Sequence, residues 1–103
     1  MEKSRKTQEE LILETATLYF LNSKFDEAVE EFKKVLKLNP ASVEAYCGLG
    51  LIYENKKQTE EAKKMYEKTL LLDKDNKVAK GHLNKLIGIK DDEQDWPNFR
   101  RGV

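Results

Sequence analysis

From about residue 8 to residue 88, apolar and small side chains recur three or four positions apart, and lysine and glutamate fill the intervals. That is the spacing of one face of an α-helix, so each stripe predicts a helix with a buried side and a solvated side. Five helices are predicted, over about 8 to 22, 25 to 38, 43 to 56, 60 to 73 and 77 to 88. Local chemistry marks their limits. Thr7 followed by Glu10 reads as a capping box opening the first helix, and Ser42, Thr59 and Asn76 stand where later helices want an N-cap. Asn39-Pro40 stops the second helix, because proline disfavours helical geometry in the residue before it and has no N–H to donate.

The pattern also repeats. A shift of 34 places sets Tyr19 over Tyr53, Glu27 over Glu61, Ala28 over Ala62, Phe32 over Tyr66, Leu36 over Leu70 and Leu38 over Leu72. A fixed period of this length signals stacked supersecondary units. The first copy supplies Ile12, Thr15-Ala16, Tyr19, Phe25, Ala28, Phe32, Val35 and Pro40. The second supplies Tyr46, Leu49-Gly50, Tyr53, Ala62, Tyr66, Thr69 and Leu72. Gly50 and Ala16 lack bulk where the helices of a hairpin approach, as do Ala28 and Ala62 on the second helices, which leaves gaps for the large aromatics.

These residues resemble the tetratricopeptide repeat family, whose pattern runs from a large residue through Leu-Gly, Tyr, Ala, Phe and Ala to Pro. The second copy departs from it at Lys74, where the proline stands, and at Thr59, where an aromatic is common. The resemblance implies an all-α fold, a short right-handed α-solenoid of two helical hairpins plus a capping helix. On that basis residues 1–8 form a polar lead, 9–42 and 43–76 the two repeats, 77–89 the capping helix and 90–103 a tail. Leu83 and Ile87 are expected on the buried side of the cap, with Lys77, Lys80, Asn84 and Lys85 on its outer face.

The resemblance further implies that the first helix of each repeat lines a concave groove. The positions facing it here are Leu13, Thr17, Phe20, Cys47, Leu51, Glu54, Val78, Gly81 and His82, mostly apolar or small. One branch of the family clamps the terminal carboxylates of heat-shock chaperones with Lys, Asn, Asn, Lys and Arg. Leu13, Thr17, Gly48, Val78 and His82 occupy those places, so no fixed cation or amide is available and chaperone-tail binding is disfavoured. An apolar groove suits an extended peptide or amphipathic helix of a partner protein, unless Leu13, Cys47 and Leu51 only pack between helices.

Charge narrows the partners. Lys+Arg and Asp+Glu are 19 each in 103 residues, so there is no net field for nucleic acid or an anionic membrane. No apolar stretch is long enough to span a bilayer, and Met1-Glu2-Lys3-Ser4-Arg5 leads into a polar segment instead of a signal peptide's apolar region. Cys47 is the single cysteine, which excludes an internal disulfide and favours a reducing, cytoplasmic setting. With His82 the single histidine, zinc spacing is missing, and no third group is evident to orient a Cys/His pair, so no metal, cofactor or catalytic residue is expected. Gly48-Leu49-Gly50 sits inside a predicted helix and reads as packing, not as a phosphate loop. Acidic pairs such as Glu30-Glu31 and Glu60-Glu61 read as solvated faces.

The tail does not share the helical period. An acidic run, Asp91, Asp92, Glu93 and Asp95, leads into Trp96, Pro97, Asn98, Phe99, Arg100 and Arg101. Two readings are open: a disordered linear motif anchoring to another protein, or a segment that docks on its own groove or on a neighbouring copy's. The leading expectation for function is therefore a non-enzymatic protein-protein interaction adaptor. The second, of a different class, is a self-assembly unit joined as a homodimer or larger object by stacking or tail exchange.

Overall fold

A computed structural model of the chain describes residues 6–88. It contains helices α1 (Gln8–Leu21), α2 (Phe25–Leu38), α3 (Val43–Asn55), α4 (Thr59–Leu72) and α5 (Lys77–Ile87). Each lies within two residues of its expected limits, and no strand occurs among the described residues. α1 packs on α2 and α3 on α4; α2 also meets α3, α4 meets α5, and α3 touches both α1 and α5. Hence α1, α3 and α5 form one layer and α2 and α4 the other, which is a helical-repeat solenoid.

The ends of the helices are built as a repeat too. Ser23 and Lys57, 34 apart, both have left-handed backbones, with φ of 60° and 65°. In each case the following N–H, of Lys24 or Gln58, donates 2.8 Å to a carbonyl of the preceding helix, Tyr19 or Tyr53. This double closure satisfies carbonyls that the helix end leaves free, and offsets the cost of the left-handed residue. Thr7 caps α1 in a complete capping box with Glu10, while Ser42 and Asn76 cap α3 and α5 through side-chain oxygens. Thr59 does not cap α4. The tight turn places Gln58 at the cap, its carbonyl already accepting from Ala62 N–H at 3.0 Å, so Thr59 becomes the first helical residue. The missing proline at Lys74 changes little: Asn39 and Asp73 end α2 and α4 with nearly the same backbone, φ −144° and −142°.

Ala16, Ala28 and Ala62 are fully buried at the crossings where small residues were expected. A methyl on Gly50 would lie 2.6 Å from the Tyr66 ring, and one on Gly48 would lie 2.5 Å from Phe32. Gly50 thus admits its own hairpin's aromatic, and Gly48 that of the preceding hairpin. One core gathers Ala16, Ala28, Phe32, Val35, Ala45, Leu49 and Ile52; a second gathers Ala62, Tyr66, Leu70, Ala79 and Leu83.

α5 closes the second core through Ala79 and Leu83, but two expectations for it need correction. Ile87 stays exposed, because it lies in the last turn beyond that core, and Asn84, expected on the outer face, is buried one position from Leu83. Gly81 has open space where a side chain would begin. Gly81→Ala is therefore expected to stabilise the chain by about 1 kcal/mol through helix propensity alone, read as a rise in the urea midpoint with an unchanged slope. A fall would show that the site needs glycine.

Candidate binding groove

The parallel α1, α3 and α5 wall a trough of about 790 Å³. Six of the nine positions expected to face a groove line it: Leu13, Thr17 and Phe20 from α1, Cys47 and Leu51 from α3, and Val78 from α5. Leu13, Phe20, Cys47 and Leu51 are half-buried, each using one side for packing and one for the trough. Glu54 and His82 border a separate recess with Leu51, Asn55 and Lys57, and Gly81 lines neither. Trp96, Phe99, Arg100 and Arg101, like Ile89 at the end of the expected cap, lie outside the described residues.

Other lining residues escaped the reading of first helices alone. Leu72 and Asp73 reach the trough from the end of α4, and Phe32 reaches it from α2. Glu44 also lines it, and could have been found by the repeat, since it stands 34 before Val78. Glu44 and Asp73 are the only charged side chains lining the trough among the described residues.

The far end of the layer is polar for a reason visible in the repeat. In the first hairpin Phe20 and Phe25 pack with ring centroids 5.8 Å apart. Their counterparts 34 later are Glu54 and Thr59, so the second hairpin loses both rings together. Glu54 instead gathers partners from two other helices. Tyr66 Oη donates to its Oε1 at 2.7 Å, His82 Nδ1 meets the same oxygen at 2.8 Å, and Lys85 Nζ lies 4.0 Å from Oε2. An ionised carboxylate only accepts, so the imidazole nitrogen facing it carries a proton. The His82 ring also stacks on Tyr66, with centroids 5.5 Å apart, at the register where Gly48 meets Phe32. His82 therefore joins α5 to α3 and α4; its contacts are with Glu54 and Tyr66, while Cys47 faces the trough.

Burial by itself raises the Glu54 carboxyl, but the hydrogen bonds from Tyr66 and His82 and the nearby positive charge outweigh it and hold the group below its ordinary value of 4.5. Burial, and then the Glu54 carboxylate, push the Tyr66 hydroxyl well above its ordinary range and keep it a donor. A depressed carboxyl stabilises the fold above its unfolded value, and that contribution is lost as pH falls through the folded value. The stability gap between the natural chain and Glu54→Gln is thus expected to be open near neutral pH and to close as pH drops below 4.5. Urea titrations across that range would measure it, and a gap independent of pH would refute the linkage.

Comparison with known proteins agrees with this geometry. Residues 16–57 match the family model described as TPR repeat, and residues 43–76 the one described as tetratricopeptide repeat. Among curated proteins, the tetratricopeptide repeat domain-containing protein PYG7, chloroplastic, of Arabidopsis thaliana is 39% identical over 68 residues, 66% of this chain and 23% of its own length. A protein O-mannosyl-transferase of Caenorhabditis elegans is 38% identical over 65 residues, 63% of this chain and 9% of its own. The chain thus spans under a quarter of either relative.

Among solved structures, the first TPR of Spaghetti (RPAP3) bound to the HSP90 peptide SRMEEVD is 31% identical with a TM-score of 0.75, covering 79% of this chain and 64% of that one. The first TPR domain of human RPAP3 is also 31% identical, with a TM-score of 0.73, covering 78% and 63%. The Yersinia enterocolitica translocator chaperone SycD, 17% identical with a TM-score of 0.75 over 84% and 65%, shares the fold. The two family matches together run from 16 to 76, more than half of the chain, and with five stacked helices and these neighbours they establish that it belongs to the tetratricopeptide repeat family.

Proposed function

We propose that the chain is a non-enzymatic adaptor whose trough receives an apolar peptide or helix of a partner protein. The observation that carries this is the trough itself: Leu13 and Phe20 of α1 and Leu51 of α3, each packed on the core by one side, remain open with the exposed Val78 of α5 along one concave surface. Such a surface supplies the anchoring pockets from which a peptide draws most of its affinity. The structural neighbour that holds an HSP90 peptide supports a peptide as the ligand class. Its chemistry would differ here, because Leu13, Thr17, Gly48, Val78 and His82 offer no lysine, arginine or amide for a terminal carboxylate, and the lining charges are acidic.

Catalysis finds no support at Cys47. Burial, and then Glu44, push its thiol up, the opposite of what a nucleophile requires. Among the described residues no group of three or more His, Cys, Asp or Glu is placed to hold a metal, and no helix is long and apolar enough to cross a membrane. Balanced charge argues against nucleic acid, and the single thiol favours a reducing compartment such as the cytoplasm.

The test is Leu13→Glu combined with Leu51→Glu, with circular dichroism to confirm folding. Proteins captured by the natural chain are expected to be lost from this variant, and SRMEEVD peptide is expected to show no saturable binding to either. Undiminished capture by the folded variant would remove the trough as the site.

A second reading, self-assembly, is favoured by the outer face of α1. Leu11 and Leu18 are 50% and 60% exposed, yet they stand 34 before Ala45 and Ile52, which are fully buried under the first hairpin. Sedimentation at micromolar concentration would show dimers that Leu11→Lys with Leu18→Lys abolishes, or a monomer that ends this reading.

A further inference from the structure

We infer that the trough takes the chain's own segment 96–101 as an internal ligand, with Trp96 and Phe99 on the apolar floor and Arg100 and Arg101 at the carboxylates of Glu44 and Asp73. The inference rests on the trough being a peptide site and names its occupant.

Charge complementarity points to this segment. Leu13, Leu51 and Val78 give the trough an apolar floor, and its lining charges among the described residues are both negative. It therefore suits an apolar segment that ends in cations and opposes one that ends in carboxylates. Two of the chain's three arginines are Arg100 and Arg101, directly after the last of its four phenylalanines and within five positions of its single tryptophan.

The path back to the trough is complementary as well. Lys77, Gly81 and Lys85 stand four apart, so they lie one above another along α5. Lys77 and Lys85 are exposed, and Gly81 between them leaves open space, which makes a basic lane with a gap at mid-length. Along its near side is Val78 at the trough. The residues after α5 read acid, aromatic, base: Asp91, Asp92, Glu93 and Asp95, then Trp96 and Phe99, then Arg100 and Arg101. Gly88 ends α5 with φ 83°, the left-handed geometry at which a chain turns off a helix. Running back from there, the acidic run meets the lysines, the aromatics meet Val78 and the floor, and the arginines meet Glu44 and Asp73.

Reach is sufficient. Val78 lies about 15 Å before Gly88 along the helix at about 1.5 Å per residue. The stretch from Gly88 to Trp96 spans up to about 26 Å when extended. A tether of this kind sets an effective concentration on the order of 1 mM, so a segment with an intrinsic Kd of about 0.1 mM is docked in about ten of eleven molecules. An outside peptide would then bind the full chain about tenfold more weakly than one with the tail displaced.

Because Trp96 is the only tryptophan, the full-length chain reports on the inference directly. Its emission is expected to be blue-shifted, and its acrylamide quenching several-fold weaker, than in the urea-unfolded chain, with neither changing on dilution. Glu44→Arg, at an exposed position, is expected to expose Trp96, as is Arg100→Glu with Arg101→Glu. Combining the three substitutions is expected to restore part of the shielding, because the charge pair at Glu44 is then exchanged while that at Asp73 stays repulsive. Trp96 as exposed as in the unfolded chain would overturn the inference, and so would shielding indifferent to both charge reversals. Shielding lost on dilution would overturn it in favour of exchange between copies. None of these readouts needs an outside partner, so an exposed Trp96 would leave the adaptor reading standing, whereas capture retained by the Leu13→Glu, Leu51→Glu variant would remove that reading by itself.

Discussion

Tyr66→Ala is expected to destabilise the chain by about 3–5 kcal/mol, the usual cost of deleting a large aromatic from a core that cannot collapse around the space. Tyr66 is fully buried and ties three helices together: its ring lies over Gly50 of α3, its hydroxyl holds Glu54, and its face carries His82 of α5. Truncation leaves a cavity between α3 and α4 and takes away the surface on which α5 rests. For a domain of this size the loss corresponds to a fall in Tm of roughly 15 to 30 °C. Tyr66→Phe separates the two contributions. It keeps the ring and removes one hydrogen bond to a charged group, so about 1.5–3 kcal/mol is expected at most. Thermal unfolding of the two variants side by side would check this, and equal losses would mean that the hydroxyl, not the packing, carries the residue's role.

Ala28→Leu should cost about 1–3 kcal/mol by overpacking. Ala28 has no exposed surface, and its counterpart Ala62 has none either, so three added carbons at either crossing must push helices apart or force a strained rotamer. Leucine and alanine have nearly equal helix propensity, so nothing offsets the strain. Gly50→Ala differs in this respect. Its clash with Tyr66 is set against a propensity gain of about 1 kcal/mol, and the net loss should be smaller. Urea unfolding of Ala28→Leu would settle the matter; a change within about 0.5 kcal/mol would show that the crossing has slack.

Both predictions follow from a repeat that is written locally. The interval between Tyr19 and Tyr53, or Ala28 and Ala62, is visible without coordinates because helix spacing, caps and small residues at crossings obey short-range rules. Thr7, Ser42 and Asn76 were legible as caps on the same basis. Thr59 was not, because its position depends on the closure that Lys57 and Gln58 make with the end of α3. The groove was legible only in part. Leu13, Thr17 and Cys47 fall on it by the periodicity of first helices, whereas Leu72 and Asp73 arrive from the other layer.

The sequence by itself determined the all-helical class, the number and approximate limits of the helices, and that Ala16, Ala28, Gly50 and Ala62 are buried. These depend on interactions between residues a few positions apart, repeated at a constant interval. Only the tertiary structure decided that Glu54, Tyr66 and His82 share one contact, that Asn84 is buried while Ile87 is not, and that the trough carries acid and no cation among the described residues. Those facts depend on how three separate helices are rotated against one another, and a one-residue rotation of about 100° exchanges an inward side chain for an outward one while leaving the periodicity unchanged.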